Sequence, residues 1–279
     1  MSRTPLYPNQ IVPLFLTTVV CASGIGTLFL EILLLNHTAV TREPINLVLR
    51  TPDILVGITI YLKTSIDFAM FIGRLMTKFP GWKNRIMIEI GTALGNIVGT
   101  LAILLIWDFF REVKPLMAVM IVIAALVLLR MAEEGLEHVK DAKGNYLIPF
   151  AQLAGHYEHI LHRINMSIAP ILNRLIPELH VSEKTKKGFR ALFLLAFSIP
   201  FLLGLDDFAG YIPLFNIVNI FGFASGVFIG HMVLNIALFL SPRMTIRIVK
   251  HPLISFVGSI AFVGLAIWGL VEAATLIGI

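Results

Sequence analysis

Residues 217–240 have the sequence IVNIFGFASGVFIGHMVLNIALFL, an apolar run of 24 positions without one lysine, arginine, aspartate or glutamate. A helix of about 20 apolar residues spans the hydrocarbon core of a bilayer, where only helices and closed barrels satisfy their backbone hydrogen bonds. The run lacks the alternation of apolar and polar residues that is typical of barrel strands. It therefore predicts a transmembrane helix, Ile217–Leu240, and decides the class of the chain.

Six further runs have the same character. They are Ile11–Leu35, Ile54–Gly73, Ile86–Phe109, Pro115–Leu129, Ala191–Leu214 and Leu253–Ile277. The chain is 57% hydrophobic and 14% charged, against about 25% charged in soluble domains. A single cysteine, Cys21, excludes intrachain disulfides and cysteine-rich metal sites. We predict an all-α integral membrane protein with seven transmembrane helices.

Basic residues are divided unequally between the two sides of such a chain. Segments on the amino-terminal side carry 17 lysines and arginines and those on the opposite side carry four, with Lys63 inside a span. Cytoplasmic loops of membrane proteins are enriched in these residues. We therefore predict a multi-pass plasma (inner) membrane protein with a cytoplasmic N-terminus and an extracytoplasmic C-terminus. Orientation accounts for the net charge of +5, and no basic run with interleaved aromatics favours nucleic-acid binding.

Two motifs recur about 140 residues apart and predict an internal repeat, with chance similarity among apolar helices as the alternative. Asp67-Phe68-Ala69 recurs as Asp207-Phe208-Ala209, and Gly91–Asn96 aligns with Gly230–Asn235. Three spans per copy is an odd number, so the second copy would be inverted in the membrane, as in many secondary transporters. The predicted organisation is an additional N-terminal helix and outer loop (1–52), repeat 1 (53–131), a cytoplasmic amphipathic segment (132–190) and repeat 2 (191–279).

Asp67, Asp206 and Asp207 lie inside predicted spans and are the lead candidates among the acidic residues there, which also include Glu31, Glu89 and Glu272. Each costs at least about 2.5 kcal/mol on insertion scales, so a functional reason is expected. Carboxylates bind hard or borderline cations and can carry protons, which makes these residues candidate ion-binding groups. The alternative for Asp67 is an ion pair with Lys63, four residues earlier on the same helical face. Glu89 is close to the basic end of its run and is expected to face water.

Glycines and prolines mark two features of the spans. Those around the Asp206-Asp207 pair are Pro200, Gly204, Gly210 and Pro213. They predict a kink or an interruption at the pair, where freed carbonyls can coordinate a cation, and a packing kink is the alternative. Glycines also recur at four-residue spacing as Gly91, Gly95 and Gly99, and as Gly222, Gly226 and Gly230. This pattern predicts close helix packing.

Polar residues near these glycines are further candidates for substrate or ion binding: Asn96, His231 and Asn235. Interhelical hydrogen bonding is the alternative. In the cytoplasmic segment, residues 147–179 form a predicted amphipathic helix that is kinked near Pro170, on the membrane surface or under the bundle. It carries His156, His159 and His162 at three-residue spacing. These histidines are a candidate cytoplasmic metal site, and a solvated helix face is the alternative.

With these motifs in view, the chain resembles the LysE transporter superfamily, and within it the cadmium-resistance (CadD-like) transporters. The resemblance is carried by residues 60–67 (IYLKTSID), 90–95 (IGTALG), 204–208 (GLDDF) and 211–215 (YIPLF). It implies a secondary transporter that exports a divalent metal cation (cadmium, zinc or manganese) by alternating access coupled to protons. The acidic residues at Asp67 and at Asp206/Asp207 would form the cation path.

Two positions depart from the family. Lys63 stands where these transporters usually have a small neutral residue, and Thr92 replaces an amide-type residue. Export of an amino acid or another small solute, with Lys63 pairing a substrate carboxylate, is therefore one alternative. A membrane sensor or scaffold and an intramembrane enzyme are others. The spans hold no nucleophile–base constellation or HExxH motif, so no enzyme activity is expected.

The expected partners are the lipid bilayer and the transported cation or small solute. The sequence is also compatible with a homo-oligomer. No nucleic acid is expected. No cofactor is expected beyond the transported cation and protons.

Overall fold

The computed structural model describes residues 8–38, 44–79, 81–141, 143–175, 189–215 and 218–278, except the side chains of 8–10, 12–13, 67, 171, 173–175, 189, 201–210 and 213. In these residues the chain forms α1 (Pro8–Thr38), α2 (Thr51–Thr64), α3 (Ile66–Lys78), α4 (Trp82–Phe110), α5 (Lys114–Leu136), α6 (Ala151–Leu175), α7 (Phe189–Tyr211), α8 (Ile220–Leu240), α9 (Pro242–Val249) and α10 (Pro252–Ile277). No β-strand occurs among the described residues. The all-α prediction is confirmed.

Within the described part of the chain, five helices are long and apolar enough to cross a membrane: α1, α4, α5, α8 and α10. The helices α2 and α3 together form a sixth candidate that is bent by 64°. The predicted fifth span corresponds to α7, whose fully described apolar part, Arg190–Pro200, is shorter than a membrane-spanning helix. The chain has the architecture of a multi-pass membrane protein.

The helices form two compact units, and each unit draws on both halves of the chain. Unit 1 comprises Met1–Ala102, Val181–Gly204 and Val218–Ile246, and unit 2 comprises Ile103–His180, Leu205–Ile217 and Arg247–Ile279. The candidate functional residues whose side chains are described lie mainly in unit 1.

Within unit 1, α2 and α8 meet at backbone contact distance. A Cβ at Gly226 of α8 would lie 2.2 Å from the carbonyl oxygen of Ile54 on α2. A Cβ at Gly57 of α2 would lie 2.1 Å from the carbonyl oxygen of Phe223 on α8. Only glycine fits at either position, so the stripe of small residues is used for close packing, as the spacing predicts.

The helices α4 and α7 meet in the same way inside unit 1. A Cβ at Gly95 would lie 2.2 Å from the carbonyl oxygen of Phe197, and one at Gly91 would lie 2.8 Å from that of Phe193. Gly99, the third member of this stripe, has no such neighbour among the described residues, and a Cβ there would meet open space. Two of the three glycines on α4 are therefore required by the contact.

The two glycine contacts follow one pattern. The contacted carbonyls, at Ile54 on α2 and at Phe193 on α7, are 139 positions apart. The glycines that meet them, Gly226 and Gly91, are 135 positions apart. When the two halves are compared by these contacts, Gly91 corresponds to Gly226. The sequence motif instead aligns Gly91 with Gly230, which lies one helical turn later on α8.

Unit 2 is built on the pairing of α5 with α10. Small residues line the contact, with Ala125 and Ala132 buried on α5 and Ser255 and Ser259 buried on α10. The Ser259 hydroxyl donates a 2.6 Å hydrogen bond to the carbonyl oxygen of Ala132. The shortest predicted span, Pro115–Leu129, is part of α5, which continues to Leu136 and is long enough to cross a membrane.

The amphipathic helix predicted over residues 147–179 is confirmed over Ala151–Leu175, with Pro170 inside it. Residues 147–150 are not helical, and residues 176–179 lie outside the described residues. This helix, α6, packs on α5 through polar contacts. Asn165 Nδ2 donates to the carbonyl oxygen of Leu129 (2.9 Å) and to Glu133 Oε2 (2.7 Å). The contacts hold α6 against α5 of unit 2.

The second predicted span is not one continuous helix. It breaks at Ser65, where α2 ends and α3 begins at an angle of 64°. The Thr64 hydroxyl donates to the carbonyl oxygen of Tyr61 (3.2 Å), which also accepts the Ser65 amide (2.9 Å). Hydroxyl bonds of this kind often accompany a bend in a helix.

The glycine contacts generate a stability prediction. Gly226→Ala places a methyl group against a backbone carbonyl, and overpacking of this kind costs about 1–3 kcal/mol. We expect a lower thermal unfolding temperature for the purified protein in detergent, measured by intrinsic fluorescence. Gly99→Ala is the matched control, since its methyl group meets open space and alanine favours helix. Equal melting temperatures for the two variants would contradict the contact.

Candidate functional site

A buried hydrogen-bonded network in unit 1 is centred on His231 of α8. Its ring is 1% exposed, and its Nδ1 lies 2.5 Å from the hydroxyl oxygen of Tyr61 on α2. Its Nε2 lies 2.8 Å from Nδ2 of Asn235, one turn later on α8. Because the amide nitrogen donates, Nε2 accepts, and a neutral ring then carries its proton on Nδ1 and donates it to Tyr61.

The network continues from α8 to α4. Asn235 Nδ2 donates to the Thr92 hydroxyl oxygen (3.0 Å), and Thr92 donates to the carbonyl oxygen of Glu89 (2.9 Å). Asn235 and Thr92 are both fully buried. Three helices, α2, α8 and α4, are thus tied together by a chain of neutral donors and acceptors.

His231 also touches both sides of the break between α2 and α3. Tyr61 lies before the break and contacts the imidazole edge-on, with ring centroids 5.5 Å apart. Phe68 lies after the break, and its ring centroid is 5.4 Å from that of His231. The broken helix therefore bends around the His231 side chain.

The three predicted carboxylates have helical backbone, but their side chains lie outside the described residues. Asp67 is the second residue of α3. Asp206 and Asp207 lie in α7, which is continuous through both of them and ends at Tyr211. The interruption expected at this pair instead occurs beside Asp67, in the other half of the chain.

Lys63 and Asp67 do not share a helix. Lys63 belongs to α2 and Asp67 to α3, so the argument from four-residue spacing on one helical face does not hold across the bend. The second span is bent at Ser65, so the expectation that Lys63 and Asp67 share one helical face is wrong.

Asn96 and Glu89, both on α4, are buried. Asn96 is 5% exposed, and its amide nitrogen has no hydrogen-bond partner within the described part of the chain. Glu89 is 0% exposed, so the expectation that it faces water is wrong. Proximity to basic residues in the sequence did not indicate on which side of the helix the carboxyl lies.

The histidines of the predicted cytoplasmic segment, His156, His159 and His162, lie on α6 of unit 2 and are all exposed. His162 Nδ1 is 2.6 Å from Glu133 Oε1 on α5. Throughout the described residues, no three His, Cys, Asp or Glu side chains are placed to hold a metal ion.

A second polar cluster fixes the start of α6 in unit 2. Lys140 Nζ bonds Glu158 Oε1 at 2.6 Å, and the Tyr146 hydroxyl donates to the other carboxylate oxygen. Burial acts to raise the pKa of Glu158, but the hydrogen bonds from Lys140 and Tyr146 and the charge of Lys140 outweigh it and lower that pKa. Burial and the bond to Glu158 raise the pKa of Tyr146 to about 12. These partners favour the ionised form of Glu158.

The fold and this network define the class: a multi-pass α-helical membrane protein with a buried polar centre beside a broken helix. No family model matches the chain, and no match is found among curated proteins or solved structures. The resemblance to the LysE superfamily therefore rests on the motifs quoted above.

Sequence reasoning selected His231 and Asn235, which the structure joins by a hydrogen bond. It did not select Tyr61, and it treated Thr92 only as a departure from a family pattern. Only their positions could have indicated these two residues. Thr92 lies one residue after Gly91, a glycine used for close packing, and Tyr61 lies one turn before the break.

The network generates a second stability prediction. Tyr61→Phe removes the acceptor of the His231 Nδ1 proton and leaves a buried donor without that partner, at a cost of about 1–2 kcal/mol. We expect a lower unfolding temperature in detergent. Thr59→Val is the matched control, because it removes an exposed hydroxyl from the same helix. A Tyr61→Phe variant as stable as Thr59→Val would show that the contact with His231 contributes nothing.

Proposed function

We propose that the protein is a secondary transporter that exports a divalent metal cation in exchange for protons, by alternating access of two inverted three-helix repeats. One observation carries the proposal. The helix α2–α3 is broken at Ser65, and Asp67 lies between Tyr61 and Phe68, the two residues that contact His231 across the break.

A broken helix at membrane depth needs a compensating role. Non-helical backbone is tolerated there only where it is buried in protein or lines a water-filled cavity. In secondary transporters, discontinuous helices of this kind provide carbonyls and helix ends that bind ions and substrates near the membrane midplane. A carboxylate two residues past such a break is well placed in the sequence to take part in binding.

The paired glycine contacts support the inverted repeat. The first helix of the proposed repeat 1, α2, packs on the second helix of repeat 2, α8. The first helix of repeat 2, α7, packs in turn on the second helix of repeat 1, α4. Two-fold exchange of partners is the arrangement that an inverted repeat produces. On this proposal α7 also crosses the membrane, which brings the number of spans to seven, and the chain is similar to LysE-type transporters.

The proposed ion-binding residues are Asp67 in the first half and Asp206 and Asp207 in the second. His231, Asn235 and Asn96 are proposed as neutral polar groups of the path, and Lys63 as a modulator of its charge. The proposed orientation keeps the N-terminus in the cytoplasm, because the basic residues are concentrated on that side.

Export of an amino acid or a similar polar solute is the second candidate. It is favoured by the neutral character of the buried network, whose hydrogen-bonding groups belong to tyrosine, histidine, asparagine and threonine. Such groups suit the polar parts of an organic solute.

The two candidates are separated by flux into proteoliposomes that contain the purified protein. We expect Cd²⁺, Zn²⁺ or Mn²⁺ to move, and an imposed pH gradient to accelerate the movement. Asp67→Asn and Asp207→Asn should each reduce the flux by about tenfold or more, since even groups that only position metal ligands affect affinity by 10–100-fold.

Asp141→Asn is the control, because Asp141 lies in a loop outside the proposed ion path and asparagine keeps its turn. Cation flux that survives both substitutions would contradict the cation proposal. Flux of lysine or arginine that is lost in Lys63→Ala would instead support the second candidate.

A further inference from the structure

Glu89 of α4 is a fully buried carboxyl that the proposed ion-binding set leaves unused. It is 0% exposed, and neither carboxyl oxygen has a hydrogen-bond partner of normal geometry among the described residues. It lies well inside a helix that is long and apolar enough to span a membrane. An ionised carboxylate in such a place is strongly disfavoured unless it is paired.

The groups that face Glu89 come from α1. The Thr17 hydroxyl is its side-chain interaction partner, and the Cys21 thiol is close enough to interact electrostatically. Thr17 is itself 0% exposed, and its hydroxyl has no other hydrogen-bond partner in the described residues. Two buried polar side chains on adjacent helices therefore share one small site.

Among the described residues, no basic group of the other neighbouring elements is paired with Glu89. Arg85, one turn earlier on α4, donates to the carbonyl oxygen of Phe239 on α8. On α8, His231 and Asn235 are hydrogen-bonded to each other. On α7, the residues against this part of α4 are Phe193, Ala196 and Phe197, and the basic residue of that helix, Arg190, is exposed.

The ligand that fits this site is a proton. A sodium, magnesium or calcium ion takes roughly six or more oxygen ligands, and Glu89 with Thr17 supplies three side-chain oxygens. A protonated carboxyl needs one acceptor for its O–H, and the Thr17 oxygen provides one. Protonation also removes the charge that makes the buried site unfavourable.

We propose that Glu89 is the proton-binding group that couples proton movement to transport, an inference that rests on the proposed transport function. Its helix is suited to this role. The same two turns of α4 carry Gly91, which packs against α7, and Thr92, which bonds Asn235 on α8. Loss of the proton places a charge in an apolar contact with α1, which favours a shift of α4 towards water. Binding and release of the proton would thereby affect the position of α4, the helix that packs on α7 through Gly91 and bonds α8 through Thr92.

The first test detects the proton itself and needs no transport. The full-length protein in lipid vesicles is treated with dicyclohexylcarbodiimide, which modifies protonated carboxyls in apolar surroundings, and the modified residue is located by mass spectrometry. We expect modification at Glu89 that declines as the pH rises, and its loss in Glu89→Gln. Glu112→Gln, at an exposed position just after α4, is the control and should leave modification of Glu89 unchanged. An unmodified Glu89 at every pH would overturn the proposal.

The second test measures coupling in proteoliposomes with the solute that the wild type moves, from Cd²⁺, Zn²⁺, Mn²⁺, lysine and arginine. Glutamine has the shape of a protonated glutamate, so Glu89→Gln should fold and still exchange solute across the membrane at equilibrium. Its flux with an imposed pH gradient should equal its flux without one, whereas the wild type and Glu112→Gln should respond to the gradient.

The outcomes separate the two proposals. If the wild type moves none of these solutes, the proposed function fails, and with it the coupling role, while carbodiimide modification still reports whether Glu89 holds a proton. If the wild type transports and Glu89→Gln still responds to the pH gradient, the transport function stands and the coupling role of Glu89 is overturned.

Discussion

The backbone contact between α2 and α8 is the constraint on which the buried site depends. Lipid is as apolar as leucine, so helices in a membrane associate through close packing and polar contacts and not through hydrophobic burial. Gly57 and Gly226 bring the two backbones together, and a Cβ at Gly230 would lie 3.1 Å from the Tyr61 ring. At this separation the Tyr61 hydroxyl reaches His231. A wider contact would leave both groups buried without this bond.

Much of the fold follows from the sequence because apolar length and glycine spacing are local signals. Each predicted run corresponds to a helix or to the pair α2–α3, and the glycine stripes do mark close helix contacts. The break at Ser65 could not be found in this way. Breaks are sought at proline and glycine, and residues 61–67 (YLKTSID) contain neither. Pro200, by contrast, is accommodated inside α7.

The site was predictable only in part. His231 and Asn235 were found because a polar residue in an apolar run stands out. Tyr61 and Thr92 were not, since tyrosine and threonine are common in such helices, and their role depends on which helices become neighbours. Glu89 is buried and faces Thr17 of α1, a helix outside the proposed repeat, so no pattern within that repeat indicates its burial. Which residues belong to the buried site thus depends on long-range contacts between helices, which residue type and spacing do not predict.

The polar groups of α4 are of two kinds: one belongs to a hydrogen-bonded network that holds helices together, and the other is a candidate for proton binding. Thr92 faces α8 and belongs to a network whose hydrogen bonds link α2, α8 and α4. A satisfied buried network is rigid and has little reason to change its surroundings. Glu89, one turn earlier, interacts with α1 and lacks a normal hydrogen bond among the described residues. A buried group of that kind is stable in one protonation state only, so its surroundings must change when its charge changes. One helix therefore combines a fixed attachment with a group whose environment depends on a proton, and this is the combination that a coupled conformational change requires.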